Sequence, residues 1–170
     1  MIQRATCGMR IEDSPLGPLG LALRQEGEGS AFLMALWPLI PETQEFFDEL
    51  PRVPCPNVPL WVEAILTRNL SKLPPLDLQG TPFQRAVWDV LMQLPEGVCC
   101  SYKDIAEQIG KPKAYRAVGN AVGRNPMAWL IPCHRVLPRS GSLSGNLGGF
   151  RWGVPMKERF LNYEEFKKRS

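Results

Sequence analysis

Apolar and polar positions divide the chain into two stretches with different rhythms. In the first, Leu19 to Leu23 and Ala31 to Trp37 are apolar runs on either side of Glu26-Gly27-Glu28-Gly29-Ser30. Two such runs around a Gly-rich turn predict a β-hairpin. Between Pro59 and Leu70, Trp61, Ile65 and Leu66 recur at helical spacing and define one apolar face. Leu73-Pro74-Pro75-Leu76 reads as a linker. The pattern therefore predicts a small α/β unit over residues 1–75.

The second stretch, residues 76–170, is marked by helix punctuation. Thr81-Pro82-Phe83-Gln84 places a cap residue, a first-turn proline and a glutamine in capping-box order. A helix is expected to run to about Leu94 with Phe83, Val87, Val90, Leu91 and Leu94 inward, stopped by Pro95-Glu96-Gly97. Ser101 with Asp104 starts a second helix that Gly110 ends. A third follows from about Ala114 to Gly123, broken by Asn125-Pro126. Two short helices joined tightly and preceded by a supporting helix describe a helix-turn-helix. The apolar run Met127 to Ile131 reads as a buried strand. Pro132 then holds Cys133 in a fixed, non-helical position. A Gly/Ser-rich loop spans Ser140 to Gly149, and Pro155 opens a last helix ending near Lys167. The expected fold class is an α/β N-terminal subdomain plus a mainly α, winged-helix-like C-terminal domain.

At 44% hydrophobic and 22% charged residues, the chain is too apolar for disorder. It has no apolar run long enough to span a bilayer and no signal-peptide core at its start, so a cytoplasmic location without membrane association is expected. Residues 1–75 hold 6 Lys/Arg and 9 Asp/Glu; residues 76–170 hold 14 and 8. A basic second half fits a polyanion partner, yet a difference of this size also fits an ordinary solvated surface. The cysteines are Cys7, Cys55, Cys99, Cys100 and Cys133, with no C-x-x-C pair and one histidine in the whole chain. A disulfide framework and a structural zinc site are both disfavoured.

That one histidine, His134, follows Cys133 directly. A thiolate is the nucleophilic form of cysteine, and a nearby imidazole can take the thiol proton. By itself the pair is better read as an inert buried thiol beside a hydrogen-bonded core histidine. The surrounding segments decide between the two. Pro132-Cys133-His134-Arg135-Val136 resembles the active-site motif of the O6-alkylguanine-DNA alkyltransferases, the methylated-DNA–protein-cysteine methyltransferases. Gly80 to Gln84, Val87-Trp88, Ser101-Tyr102, Lys113 to Gly119 and Asn125-Pro126 resemble further segments of that family in the same order. The resemblance is strong from about residue 76 to the end, and Ser14-Pro15-Leu16-Gly17 is similar to a weaker feature near the start.

The resemblance implies a suicide repair reaction on double-stranded DNA containing O6-alkylguanine, carried out by a monomer without cofactor. Zinc-bearing members of the family use ligands in the first region, where Cys7 and Cys55 here stand without histidines, so no metal is expected. Cys133 would accept the alkyl group. His134 would deprotonate it through a bridging water, and Glu164, placed seven residues after Lys157, would orient His134. The residues alone do not separate Glu164 from Glu165; the resemblance, through the family's spacing from Lys157, implies Glu164. Tyr102 would donate a hydrogen bond to the extruded guanine, and Asn125 would hold the turn before the Cys133 segment. The third helix would enter the minor groove, with Arg116 as the finger that fills the gap left by the flipped base. Ala117, Gly119, Asn120, Ala121 and Gly123 would allow close approach, with Arg124 and Arg135 among the DNA contacts. Lys103, Lys111 and Lys113 are candidate phosphate contacts.

Two features depart from the family. Ser144 to Gly153 is similar to a family Gly-Tyr-Arg-Trp-Gly stretch with an insert of about four residues, and Phe150 stands in place of the tyrosine. Asn120 occupies a position where a small residue is frequent. Three other readings compete. A lesion-binding, alkyltransferase-like module would lack the acceptor that Cys133 supplies. A transcription regulator would carry base-reading side chains on its recognition helix. A Cys-His hydrolase would place its histidine far from its cysteine in sequence.

Overall fold

The computed structural model describes residues 7–26, 30–52, 58–138 and 146–169, so Cys55 and most of the Gly/Ser-rich loop lie outside the described residues. The chain forms two units. One comprises residues 1–79 together with 126–130; the other comprises residues 80–125 and 131–170. The division falls at 79/80, four residues beyond the prolines of the expected linker. It also returns one short later segment to the first unit.

The first unit is built on an antiparallel sheet of β1 (Cys7–Ile11), β2 (Leu19–Glu26) and β3 (Ser30–Pro38), in that order. The β2–β3 hairpin forms as the pattern expected, with Leu19 paired to Pro38 and Glu26 to Ser30. Leu19 to Leu23 are all buried, so this end of β2 is covered on both faces. One cover is α1 (Pro41–Glu49). Its Phe47 ring lies so close to β2 that a Cβ on Gly20 would stand 2.6 Å from it, which explains glycine there. Thr43 Oγ1 accepts from the Ile40 N–H at 3.1 Å and donates to the Pro38 carbonyl at 2.5 Å, tying the helix start to the end of β3. The amphipathic segment after Pro59 is α2 (Val58–Leu66), with Ile65 buried and Trp61 and Leu66 half-buried.

The expected strand Met127–Ile131 does not form. Only Met127 bridges to Leu36, and Ala128 N–H donates to the Leu36 carbonyl at 2.7 Å. The chain then turns, with Leu130 N–H bonded to the Ala128 carbonyl and Trp129 at φ 68°. All five side chains are buried. A short apolar run reports burial, and here the burial is of a turn.

The second unit follows its punctuation closely. α3 (Pro82–Met92) begins with the full capping box: Gln84 N–H donates to Thr81 Oγ1 at 3.2 Å and Thr81 N–H donates to Gln84 Oε1 at 2.9 Å. Val87 and Leu91 are buried, Phe83, Val90 and Leu94 half-buried. The fully buried Trp88 is an addition to the expected inner face; its indole N–H donates to the Ala121 carbonyl at 2.9 Å. β4 (Cys100–Ser101) leads into α4 (Tyr102–Gln108), capped by Ser101 and Asp104. Gly110, at φ 69°, closes α4 with bonds from Lys111 N–H to Ala106 and from Gly110 N–H to Glu107. α5 (Tyr115–Gly123) packs on α3 and α4. Cys133–Arg135 form one turn of 3-10 helix rather than the non-helical segment expected. β5 (Val136–Leu137) then pairs in parallel with β4, and α6 (Val154–Arg169) completes the unit.

The cap of α3 gives a direct check. Thr81→Ala removes one half of the box, and a loss of about 1 kcal/mol is expected. In thermal melting this should appear as a drop of roughly 2–4 °C for a domain of this size. An unchanged melting temperature would show that α3 draws its stability from Trp88 and its packing alone.

Candidate active site

Cys133 sits at the start of the 3-10 turn and is 3% exposed. The segment reaches it through Pro132, and the Cys133 N–H closes back on the Ile131 carbonyl at 2.7 Å. Asn125, fully buried, spans the same turn. Its Nδ2 donates to the Ile131 carbonyl at 2.7 Å and to Cys133 Sγ at 3.0 Å. The amide thus fixes both the backbone before the cysteine and the sulfur itself. Burial raises the thiol to about 11, although the Asn125 bond and the positive charges of Lys157 and Arg151 pull the other way. At rest Cys133 therefore keeps its proton, and a base is needed to make it nucleophilic.

The neighbouring residue is placed to act through a carboxylate. His134 is fully buried, its ring edge-on to Phe160, and His134 Nε2 lies 2.8 Å from Glu164 Oε1. The carboxylate accepts the Nε2 proton, which leaves Nδ1 as the basic nitrogen of the neutral ring. Glu164 is buried on the inner face of α6, whereas Glu165 is exposed. The two glutamates, adjacent in sequence, are thus separated by the helix they share.

Arg135 is not a DNA contact. It is fully buried, with its guanidinium donating to both Glu164 oxygens (Nε at 2.9 and 3.1 Å, Nη2 at 2.5 Å). Nη1 donates to the Leu94 and Pro95 carbonyls at 2.8 and 2.9 Å. Burial alone would raise the Glu164 carboxyl, but the hydrogen bonds and charges of His134 and Arg135 outweigh it and hold it at about 2. The sequence reading places Arg135 among the DNA contacts; only the position of α6 shows the pairing.

Lys157 completes the interior. The residue is fully buried, and Nζ donates to the Val136 and Leu147 carbonyls, each at 2.7 Å, and at 3.5 Å to that of Gly149. It ties β5 to the loop that precedes α6 and places a positive charge near the thiol. Its inward position was available from the sequence: Lys157, Phe160, Leu161 and Glu164 recur at the spacing of one helix face.

A cavity of about 180 Å³ opens onto the sulfur, lined by Tyr102, Gly119, Val122, Gly123, Cys133 and the loop residues Gly149 to Arg151. Tyr102 is half-buried, and burial raises its phenol, which a thiolate at Cys133 raises further, so it is held as a donor. Along α5, Arg116, Ala117, Asn120 and Gly123 are exposed, Gly119 is half-buried, and Arg124 continues the exposed face past the helix end. Ala121 is 2% exposed and faces inward with Val118 and Val122, which removes it from the expected contact surface. Lys103, Lys111 and Lys113 are all exposed. Among the described residues no group of His, Cys, Asp and Glu could hold a metal ion, and no helix is long and apolar enough to cross a membrane.

Comparison with known proteins places this arrangement. Residues 82–166 match the family described as 6-O-methylguanine DNA methyltransferase, DNA binding domain. A methylated-DNA–protein-cysteine methyltransferase of Methanosarcina barkeri is 40% identical over 165 residues, covering 91% of this chain and 95% of that protein. The regulatory protein Ada of Salmonella typhimurium is 49% identical over 107 residues, a match spanning 63% of this chain and 29% of that longer protein. The crystal structure of Mycobacterium tuberculosis OGT in complex with DNA superimposes with a TM-score of 0.71 at 36% identity, covering 94% of this chain and 93% of that one. The chain therefore belongs to the 6-O-methylguanine DNA methyltransferase family. Within it, it is a DNA-binding methyltransferase of DNA repair, of the methylated-DNA–protein-cysteine type.

Proposed function

We propose that this protein clears O6-alkylguanine from double-stranded DNA by one irreversible transfer of the alkyl group to its own Cys133. The observation that carries the reading is a single buried thiol, held by Asn125 and backed by a His134–Glu164 pair, at the floor of a cavity walled by α5 and Tyr102.

The residues divide the work. His134, kept basic at Nδ1 by Glu164, takes the Cys133 proton through a bridging water. The thiolate attacks the alkyl carbon, a C–S bond forms and the C–O6 bond breaks. Tyr102 donates a hydrogen bond to the departing purine, and the proton that His134 took from Cys133 returns through water, so guanine ends as the neutral base and His134 as the neutral imidazole. The thioether product has no hydrolysable bond, so each molecule acts once. The second unit serves as a winged-helix-like domain whose α4 and α5 form the helix-turn-helix. The exposed α5 face of Arg116, Ala117, Asn120, Gly123 and Arg124 lies along the minor groove, with Arg116 filling the place of the extruded nucleotide. Extrusion costs a few kcal/mol, less at a damaged pair, which favours lesions over intact guanine. The protein binds as a monomer in this reading.

Intact-mass measurement after incubation with a duplex holding one O6-methylguanine tests it. One added methylene per chain is expected, mapped to Cys133, saturating after one turnover and absent from Cys133→Ala. Lesion binding without any mass gain would refute the transfer and leave an alkyltransferase-like damage flag.

A further inference from the structure

The rim of the Cys133 cavity carries a cation that the transfer steps above leave unused. Arg151 follows Phe150 on the loop before α6, and its Nη1 donates to the main-chain carbonyl of Asn125 at 3.3 Å. Its guanidinium lies 5.7 Å from the centroid of the Trp152 ring, and that tryptophan is buried. The same Asn125 holds the acceptor sulfur by its side chain, so one residue positions both the thiol and the rim arginine. The residue itself retains a solvent-exposed surface.

Arg124 stands immediately before Asn125, exposed at the end of α5. Burial lowers the Arg151 guanidinium, the Cys133 charge raises it, and the like charge of Arg124 lowers it again. Arg124 follows Gly123, which lines the cavity, and its like charge opposes that of the rim Arg151. An anion beside Arg151 converts that opposition into attraction. Arginine also presents five donors in a rigid fork that matches phosphate and carboxylate oxygens.

We propose that Arg151 forms an anion subsite at the mouth of the Cys133 cavity that receives a negatively charged group carried by the substrate. Two groups on the DNA have that chemistry. One is the phosphate of the extruded nucleotide, which must be held once the backbone has rotated. The other is a carboxylate on the alkyl group itself. An anionic alkyl group approaching a thiolate is repelled by it, and a rim cation offsets that repulsion. The bonds exchanged stay the same: C–S forms, C–O6 breaks, and guanine leaves with its proton restored. The subsite rests on the alkyl-transfer reading.

The test compares single-turnover rates of Cys133 alkylation with three substrates. These are a duplex carrying O6-methylguanine, the same duplex carrying O6-carboxymethylguanine, and the free base O6-methylguanine, which has neither phosphate nor carboxylate. Arg151→Gln removes the charge and Arg151→Lys keeps it. A charge-assisted contact implies that Arg151→Gln slows at least one duplex reaction about tenfold relative to the free base, with Arg151→Lys recovering most of the loss. An equal loss on both duplexes assigns the subsite to the phosphate. A loss confined to the carboxymethyl duplex assigns it to the alkyl carboxylate. An equal loss on all three substrates means that Arg151 acts only on the thiol and overturns the subsite, as does no loss on any. If the unmodified protein alkylates Cys133 with none of the three, the transfer reading fails, and the subsite with it.

Discussion

Glu164→Gln is expected to destabilise the fold by about 3–5 kcal/mol, because it leaves the buried Arg135 guanidinium without its counter-charge. The side chain keeps its size, so the loss reports charge rather than a cavity. Chemical denaturation should show a lower midpoint with an unchanged slope. The pH dependence supplies an independent readout. The Glu164 carboxyl is depressed from an ordinary 4.5 to about 2 in the fold. A depressed acid contributes stability that is complete above its unfolded value and is lost as pH falls through the folded one. The native protein should thus lose about 3 kcal/mol between roughly pH 4.5 and 2 from this group, and the Gln variant should lack that component. Alkyl transfer at neutral pH should also slow, since the amide no longer holds His134 with Nδ1 basic. A variant as stable as the parent and as acid-sensitive would show that Arg135 is neutralised elsewhere.

Lys157→Met should be nearly as damaging, and for a different reason. The methionine fills much of the space but leaves the Val136 and Leu147 carbonyls without their donor. Unsatisfied buried acceptors cost roughly 1–3 kcal/mol each, so a loss of about 2–4 kcal/mol is expected in the melting curve. The variant also removes one of the charges that draw the Cys133 thiol down. Methyl transfer, measured well below the melting temperature, should also fall, because the thiol loses a charge that favours its ionised form. A stability loss with an unaltered transfer rate would confine Lys157 to holding the loop.

The sequence made the second unit readable because its helices are punctuated by local chemistry. Thr81 with Gln84, Ser101 with Asp104, and Gly110 each act within a few residues, and the helices start and stop where they direct. The first unit was less legible. β1 is a short strand whose partner lies beyond a turn. α1 carries Phe46 and Phe47 side by side, which blurs its period, and its anchoring depends on Gly20 and Trp37 from distant strands. Within the site, Cys133, His134, Asn125, Tyr102 and Glu164 do gather around one cavity and its supporting pair. What stayed hidden was which way some side chains face. Arg135 turns inward because α6 brings a carboxylate to it, and Ala121 lies on the buried face of α5, where the Trp88 indole meets its carbonyl. Neither partner is near in sequence, so no local pattern carries the information.

The parallel pairing of Cys100-Ser101 with Val136-Leu137 is only two residues long, yet it works as a gauge. Tyr102 follows one of its strands directly, and Cys133 stands three residues before the other. The spacing between the Tyr102 phenol and the Cys133 sulfur is therefore tied to this one short ladder. The wall bearing Phe150 and Arg151 belongs to a separate segment, reached only after a loop. Two bonds join the wall to the gauge: Lys157 links β5 to the loop carbonyls, and Arg151 links the wall to Asn125. Loop exchange aimed at the breadth of the cavity should therefore keep those two anchors and vary the residues between them.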